Sequence, residues 1–426
     1  MLEKVIGFLK RPTNKDIIIN TIGNYIGVFF TALFALILVR ILNPSQYGVL
    51  SVLLGIAYVL SNVLDFGTTA TIYSSVPTLV EKKRDELYRF IKSIFFYQTL
   101  FSLVVIFALV LSFPFLDRIF FKTGAPIWNL YLTCGSVLFF IWQNFVTNIL
   151  FAAKKFLKAN IYNNLANVIK TLLLFLLVGA KMITVGTVIF VFGIVGPLIF
   201  FLLLFIEKKD LAFVLLKAKV EKEHFRFKYT FTYFLASQFF NLGLRMDLFL
   251  LSYFLPKAEV GYYGLSQKII LTVSTTIISI TQVLSPRFSS VKHRHEIARL
   301  LKIASAYMLF PTVLFVLLYF TPLQIFKLFF TSKFVKTADI TRALSLPFIL
   351  YALGIVPSLF LLYTVKKPIY ILISNIVFFA VITGGSYVLI PIKGVFGPPS
   401  AIFIAFLLAV FLQILAVFNE YRKLPA

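Results

Sequence analysis

Long apolar runs, interrupted by short polar segments, set the pattern of this chain. A helix needs about 20 apolar residues to cross the hydrocarbon core of a bilayer. Windows of that kind fall at about 17–41, 47–76, 93–116, 128–151, 161–180, 184–206, 229–254, 258–284, 300–321, 343–365, 368–391 and 395–418. The pattern predicts an all-α polytopic membrane protein with twelve transmembrane helices. The longest polar connection, EKKDLAFVLLKAKVEKEHFRFK (207–228), divides the windows into two sets of six. It predicts an N-terminal six-helix bundle over 1–206, a cytoplasmic linker over 207–228 and a C-terminal six-helix bundle over 229–426.

Composition agrees with this reading, because 60% of the 426 residues are hydrophobic and only 13% are charged, which leaves no soluble domain over. The formal charge of +25 invites a nucleic-acid partner, but the positions of the basic residues exclude one. Of 41 Lys and Arg, 28 lie in the termini and in every second connection, and 10 lie in the alternate connections. That asymmetry is the positive-inside rule, and it predicts a multi-pass protein of the cell (cytoplasmic or inner) membrane with both termini in the cytoplasm. Membrane lipids are then the partners of the basic loops. The first window is preceded by Lys4, Lys10, Arg11 and Lys15 and followed by no small-residue cleavage site, which predicts a retained span. A lone Cys134 excludes a disulfide framework or a thiolate metal site. No carboxylate pair stands at metal spacing with His293 and His295, so no metal, no cofactor and no catalytic constellation are predicted.

The remaining charges lie inside apolar windows, where each needs a reason. Arg245 stands eleven residues before Pro256, and Lys268 eleven after Lys257, so both sit roughly 16 Å from the turn. Two like charges at one depth require an anion between them, either Asp247 or a ligand. Two residues apart on a helix, Arg245 and Asp247 point roughly 200° away from each other. Gln238, Asn241 and Arg245 share one face, and Lys268, Thr272, Thr275 and Ser279 share another. These faces predict the walls of a wet cationic cavity; the alternative is an ion pair that joins helices.

In the first half, Asp65 and Asn24 are expected at one depth and within hydrogen-bonding range, with Gly67 loosening the helix beside them. Asp65 reads as a cation-binding or protonatable carboxylate, or as one satisfied by neighbouring amides. Asn163, Asn167 and Lys170 share a face that puts Lys170 near the midplane, where an ammonium needs water, a carboxylate or a phosphate. Gln143 and Asn148 on the preceding span are expected to answer these amides. Arg40, at a helix end, either contributes to a site or snorkels to the interface. EKKRDELYRFIK (81–92) reads as an amphipathic segment at the membrane surface, 285–299 as a basic loop, 322–342 as the longest outer connection, and the last four spans as lipid-facing. His293 and His295 would point to opposite sides of a helix. ILNPSQYGVL and FLPKAEVGYY align Gly48 with Gly261 at an offset of 213, half the chain, as parallel repeats would. The charges do not follow the repeat, since Ala32 and Ile278 occupy the positions equivalent to Arg245 and Asp65.

LVRILNPSQYGVLSVLLGIAYVLSNVLDFG, DLFLLSYFLPKAEVGYYGLSQKI, ITQVLSPRFSS and LQIFKLFFTSKFVKTADITRALSL resemble, in order, recurrent passages of the polysaccharide-biosynthesis flippases (Wzx-like) of the multidrug/oligosaccharidyl-lipid/polysaccharide exporter superfamily. The resemblance implies a fold related to that of the MATE transporters, with two six-helix bundles and alternating access. It implies export of a polyprenyl-diphosphate-linked glycan to the outer leaflet, alongside a glycan polymerase and export proteins. Family cavities are cationic, and Lys170, Arg245, Lys268 and Arg40 would hold the diphosphate, with Asn24, Asn163, Asn167, Gln238, Asn241 and Thr272 lining the cavity. A gradient of H+ or Na+ read by Asp65 or Asp247 would supply direction. A drug/cation antiporter of the same superfamily is the alternative; a membrane glycan polymerase or glycosyltransferase would need acidic residues for sugar chemistry.

Overall fold

The computed structural model describes residues 12–82, 84–207, 217–221, 227–291 and 293–423. Lys4, Lys10 and Arg11 and most of the linker 207–228 lie outside the described residues. Among the described residues the chain is helical, without strands. Each of the twelve expected windows falls on helix: α1 (Pro12–Ile41), α2 (Pro44–Val63), α3 (Thr68–Lys82), α4 (Arg84–Leu116), α5 (Ile127–Ala152), α6 (Phe156–Gly179), α7 (Val185–Phe190), α8 (Gly196–Glu207), α9 (Phe227–Phe254), α10 (Lys257–Ser290), α11 (Arg294–Phe320), α12 (Leu323–Phe330), α13 (Thr337–Leu359), α14 (Ile369–Lys393) and α15 (Gly397–Tyr421). Nine stretches of the described residues are long and apolar enough to cross a membrane, the last of them, Ile369–Tyr421, containing both α14 and α15. The helices α9 and α10 are not among the nine; the charged and hydroxyl side chains that single them out dilute their apolar character.

Local chemistry explains the boundaries. Between α1 and α2, Asn43 and Gln46 exchange backbone-to-side-chain hydrogen bonds of 2.8 and 3.1 Å, a reciprocal cap with Pro44 at the first helical position. The expected span 47–76 is broken, with Phe66 at φ 47° and Gly67 at φ 75°. Gly67 tolerates that conformation, and the bulkier Phe66 is carried into it by the same reversal. The segment 81–92 is no separate surface helix: α4 runs through it, and Arg89 and Ser93 hold linker residue Glu221 at 2.9 and 2.7 Å. The segment 285–299 is not a loop either, because α10 continues to Ser290 and α11 starts at Arg294. His293 is extended, outside the helix, so its ring stacks on that of His295 at 6.0 Å instead of opposing it. The outer connection 322–342 is largely helix, with Asp339 paired to Arg342 at 2.9 Å.

The chain forms two compact units. One comprises 1–34, 56–115 and 125–234, and the other 35–55, 116–124 and 235–426. In the first, Ile72, Val76, Phe90, Ile94 and Phe145 join α3, α4 and α5 in one apolar cluster. Leu150, Ala159, Tyr162, Ala166 and Phe200 join α5, α6 and α8 in another. In the second unit, Phe240, Tyr351, Phe378 and Phe406 stack at 4.7–5.6 Å and tie α9 to α13, α14 and α15. Such ring pairs each add about 0.5–1.5 kcal/mol beyond area burial. With Leu344, Phe348 and Ala352 buried, α13 is central to its unit, while large apolar residues of α11, α14 and α15, such as Leu317, Val388 and Phe411, are exposed. Glu420, buried at the end of α15, takes Lys367, Tyr370 and Lys423 at 2.7–2.9 Å and anchors the 365–370 turn.

Candidate functional site

The two helices flanking Pro256 bring Arg245 to the level of Lys268, as their matched depth predicts: Arg245 donates at 2.8 Å to Gln267, the residue that precedes Lys268. Asp247 is buried, at 1% exposure. It accepts the Leu248 N–H at 2.6 Å and the Tyr263 hydroxyl. Gln267 joins it to Arg245, donating from Nε2 to both carboxylate oxygens at 3.0 Å and accepting from Arg245 Nη1 at 2.8 Å. Neither Gln267 nor Tyr263 was singled out by sequence. The depth count that paired Arg245 with Lys268 would have found Gln267, since Asp247 lies nine residues before Pro256 and Gln267 ten after Lys257.

Gln238 is buried on α9, and Asn241 is half-buried one turn on. The hydroxyls expected on the α10 wall donate within their own helix. Thr272, Thr275 and Ser279 donate to the carbonyls of Lys268, Thr272 and Thr275 at 2.7–3.1 Å, which satisfies them within their own helix.

In the other unit, Lys170 is half-buried on α6, and its ammonium stands 5.5 Å from the ring centres of both Phe34 and Phe192. Phe192 belongs to a π-helical turn, Val191–Val195, that separates α7 from α8. Gly196 follows, and a Cβ there would lie 2.7 Å from Lys170 Cδ, so glycine makes room for the lysine stem. The two rings offer their π faces to the cation, a contact worth about 0.5–2 kcal/mol. Asn163 accepts from Gln143 at 3.1 Å, an interhelical amide bond that the sequence leads one to expect, whereas Asn148 donates instead to Thr69 on α3 at 2.8 Å. Asn167 offers its carbonyl to Thr171 at 2.8 Å.

Asp65 does not bond to Asn24. It accepts from the Thr68 hydroxyl at 2.7 Å, the Thr69 hydroxyl at 2.9 Å and the Thr69 N–H at 3.2 Å, all on the first turn of α3. The break at Phe66–Gly67 turns the carboxylate back onto the helix start, where it serves as a cap. Asn24 is half-buried on α1, and Arg40 is exposed at the end of the same helix. Cys134 is buried and free. No group of metal-ligating residues occurs among the described residues.

At the α9–α10 turn, Lys257 donates to the Ser252 carbonyl at 2.5 Å, the Ser252 hydroxyl at 2.7 Å and the Phe121 carbonyl at 3.1 Å. Asp117 accepts from Thr123 beside it, and Lys122 lies over the Tyr253 ring at 3.8 Å. Burial pushes the Lys257 ammonium down to about 8, against the pull of Asp117 and with a further push from Lys122. Sequence reading gave this lysine only a turn.

These helices and their order match the fold of solved transporters of the multidrug/oligosaccharidyl-lipid/polysaccharide (MOP) superfamily. The chain resembles the lipid II flippase MurJ in an inward closed conformation, at a TM-score of 0.74 and 17% identity, over 95% of this chain and 89% of that one. It resembles an inward-facing MATE-family multidrug resistance transporter at 0.73 and 15%, over 93% and 95%. A Pyrococcus furiosus MOP-superfamily transporter described as having a binding pocket of reversed polarity matches at 0.62 and 15%, over 95% and 94%. No curated protein matches the chain. The family model for polysaccharide biosynthesis proteins matches residues 14–292, and the chain belongs to that family.

Proposed function

We propose that the protein is a flippase that moves a polyprenyl-diphosphate-linked oligosaccharide from the cytoplasmic to the outer leaflet by alternating access, in cell-surface polysaccharide biosynthesis. The observation that carries this reading is the pair of like charges on adjacent helices, with Arg245 bonded at 2.8 Å to Gln267, the residue that precedes Lys268. Keeping two cations together in an apolar region is unfavourable without an anion, and a diphosphate can act as that anion while the cations replace its lost hydration. Lys170 adds a third fixed cation, and Arg40 a fourth at a helix end. Family membership and the likeness to a lipid II flippase support the substrate class.

In this proposal the expected bundles, 1–206 and 229–426, are the moving bodies, both termini are cytoplasmic, and the membrane is the inner or cytoplasmic one. A gradient of H+ or Na+ acting through Asp65 or Asp247 gives direction, and a glycan polymerase and export proteins act downstream. No catalytic step is assigned to the chain.

The test is reconstitution in vesicles containing defined polyprenyl-diphosphate glycans, with protein-free vesicles as control. Arg245→Ala and Lys268→Ala are expected to lower movement between leaflets while expression stays near normal. Normal movement by the double variant overturns the reading. The likeness to a multidrug transporter favours a second reading, drug/cation antiport. Gradient-driven uptake of an organic cation by the same vesicles, without movement of the lipid, would establish it.

A further inference from the structure

Arg245 and Asp247 lie on one helix, two residues apart, and α10 supplies the group between them. A carboxylate only accepts hydrogen bonds, so the amide nitrogen of Gln267 must be the end that faces Asp247. Its further contact with the Leu244 carbonyl, at 3.1 Å, agrees, because a carbonyl also only accepts. Chemistry therefore fixes the amide orientation and leaves Oε1 toward Arg245 Nη1, at 2.8 Å. The carboxylate is itself fixed by the Tyr263 hydroxyl and the Leu248 N–H. Tyr263 and Gln267 from α10, and Arg245 on its own helix, are the polar and charged groups that act on Asp247. From α2, Gly55 packs against Leu248 and Phe249 and brings no charge.

We infer that Gln267, oriented by Asp247, is a positioning residue that holds the Arg245 guanidinium for a diphosphate headgroup. The inference rests on the headgroup-binding reading above. Its physical content is a separation of two tasks that a direct ion pair would merge. A carboxylate set against the guanidinium would orient it and also cancel the charge that an incoming phosphate needs. A neutral amide oxygen orients the guanidinium without itself cancelling its charge, while the negative charge that orders the amide stays on the far side of Gln267. Near Lys268 this matters, because an unoriented Arg245 would swing away from the like charge and the two-cation site would come apart.

The test uses the purified full-length protein in detergent, with geranylgeranyl diphosphate as a short diphosphate probe, its Kd read by calorimetry beside thermal unfolding. Gln267→Met keeps the side-chain length and removes the relay. It is expected to weaken binding roughly ten-fold, the scale of one hydrogen bond to a charged group. Combined with Arg245→Ala it should weaken binding no further than Arg245→Ala alone. Wild-type binding by Gln267→Met, or full additivity with Arg245→Ala, overturns the inference. Wild-type binding by Arg245→Ala removes the headgroup reading itself, and this inference with it. Should Gln267→Met fail to fold, Asp247→Asn replaces it. An amide at 247 no longer dictates the orientation of Gln267, so the same weakening and the same lack of additivity are expected. A folded Asp247→Asn that binds as wild type overturns the inference.

Discussion

Gly48 and Gly261 meet backbone to backbone where α2 crosses α10. A Cβ on Gly48 would lie 2.0 Å from the Lys257 carbonyl oxygen, and one on Gly261 would lie 1.9 Å from the Pro44 carbonyl oxygen. The contact is reciprocal, since Pro44 and Lys257, like the two glycines, are 213 residues apart. Ser51 and Gly264, at the same offset, pack together one turn further on, where a Cβ on Gly264 would lie 2.6 Å from Ser51 Oγ. The weak internal match in sequence is thus a two-fold contact in space, and only the smallest residue fits at its centre. Gly48→Ala and Gly261→Ala are each expected to cost about 3 kcal/mol, the upper range for overpacking, because carbonyls of a neighbouring helix cannot move as a side-chain tip can. Gly384→Ala on α14 is the control: nothing lies within 4 Å of its added Cβ, so helix propensity should make it neutral or stabilising by up to about 1 kcal/mol. Thermal unfolding in detergent checks all three.

Asp65 offers a separation of cap from charge. Asp65→Ala removes the acceptor for the first turn of α3 and is expected to cost about 1–2 kcal/mol. Asp65→Asn keeps an acceptor oxygen and removes the charge, so it should fold nearly as well. If Asp65 senses the gradient, the Asn variant in vesicles loses the dependence of transport on H+ or Na+. An unchanged dependence would leave Asp65 a cap alone.

At Lys170 the stem and the charge also separate. Lys170→Met keeps a flexible stem against Gly196 and gives up the contact with Phe34 and Phe192, so stability should fall by no more than about 2 kcal/mol. If the ammonium binds phosphate, that folded variant is expected to lose transport while Lys170→Arg retains much of it. A Met variant that transports normally would remove Lys170 from the site. One that fails to fold would point to a structural ion pair.

The half-buried Lys257 predicts a pH dependence outside the expected spans. Its folded value of about 8 lies below the ordinary lysine value of roughly 10.4, so between them the unfolded chain binds more protons and stability rises with pH. Below about pH 8 both states hold the proton and this contribution is flat. Comparing thermal unfolding of wild type and Lys257→Met at pH 7.5 and 9.5 isolates it. The wild type should gain relative to the variant at the higher pH, and a constant difference would show that Lys257 titrates normally.

Sequence alone determined the all-helical membrane class, the positions of the apolar windows and the matched depth of Arg245 and Lys268. These depend on quantities that are local and periodic: apolar length against bilayer thickness, and rise per residue counted from a turn. It also marked Gly67 as the weak point of its span, because a glycine there removes the side chain that would resist a reversal. Tertiary structure decided what each buried polar group touches. Counting from Pro44 brought Asp65 and Asn24 to one depth, but the reversal at Phe66–Gly67 turned the carboxylate onto Thr68 and Thr69. Depth says nothing of azimuth, so Gln267 and Tyr263 became partners of Asp247 only once α9 and α10 had packed, and Phe34 and Phe192 reached Lys170 only through packing of their helices. The partners of Thr272, Thr275 and Ser279 were likewise left open by the sequence; each donates to a carbonyl of its own helix, the nearest acceptor available to it.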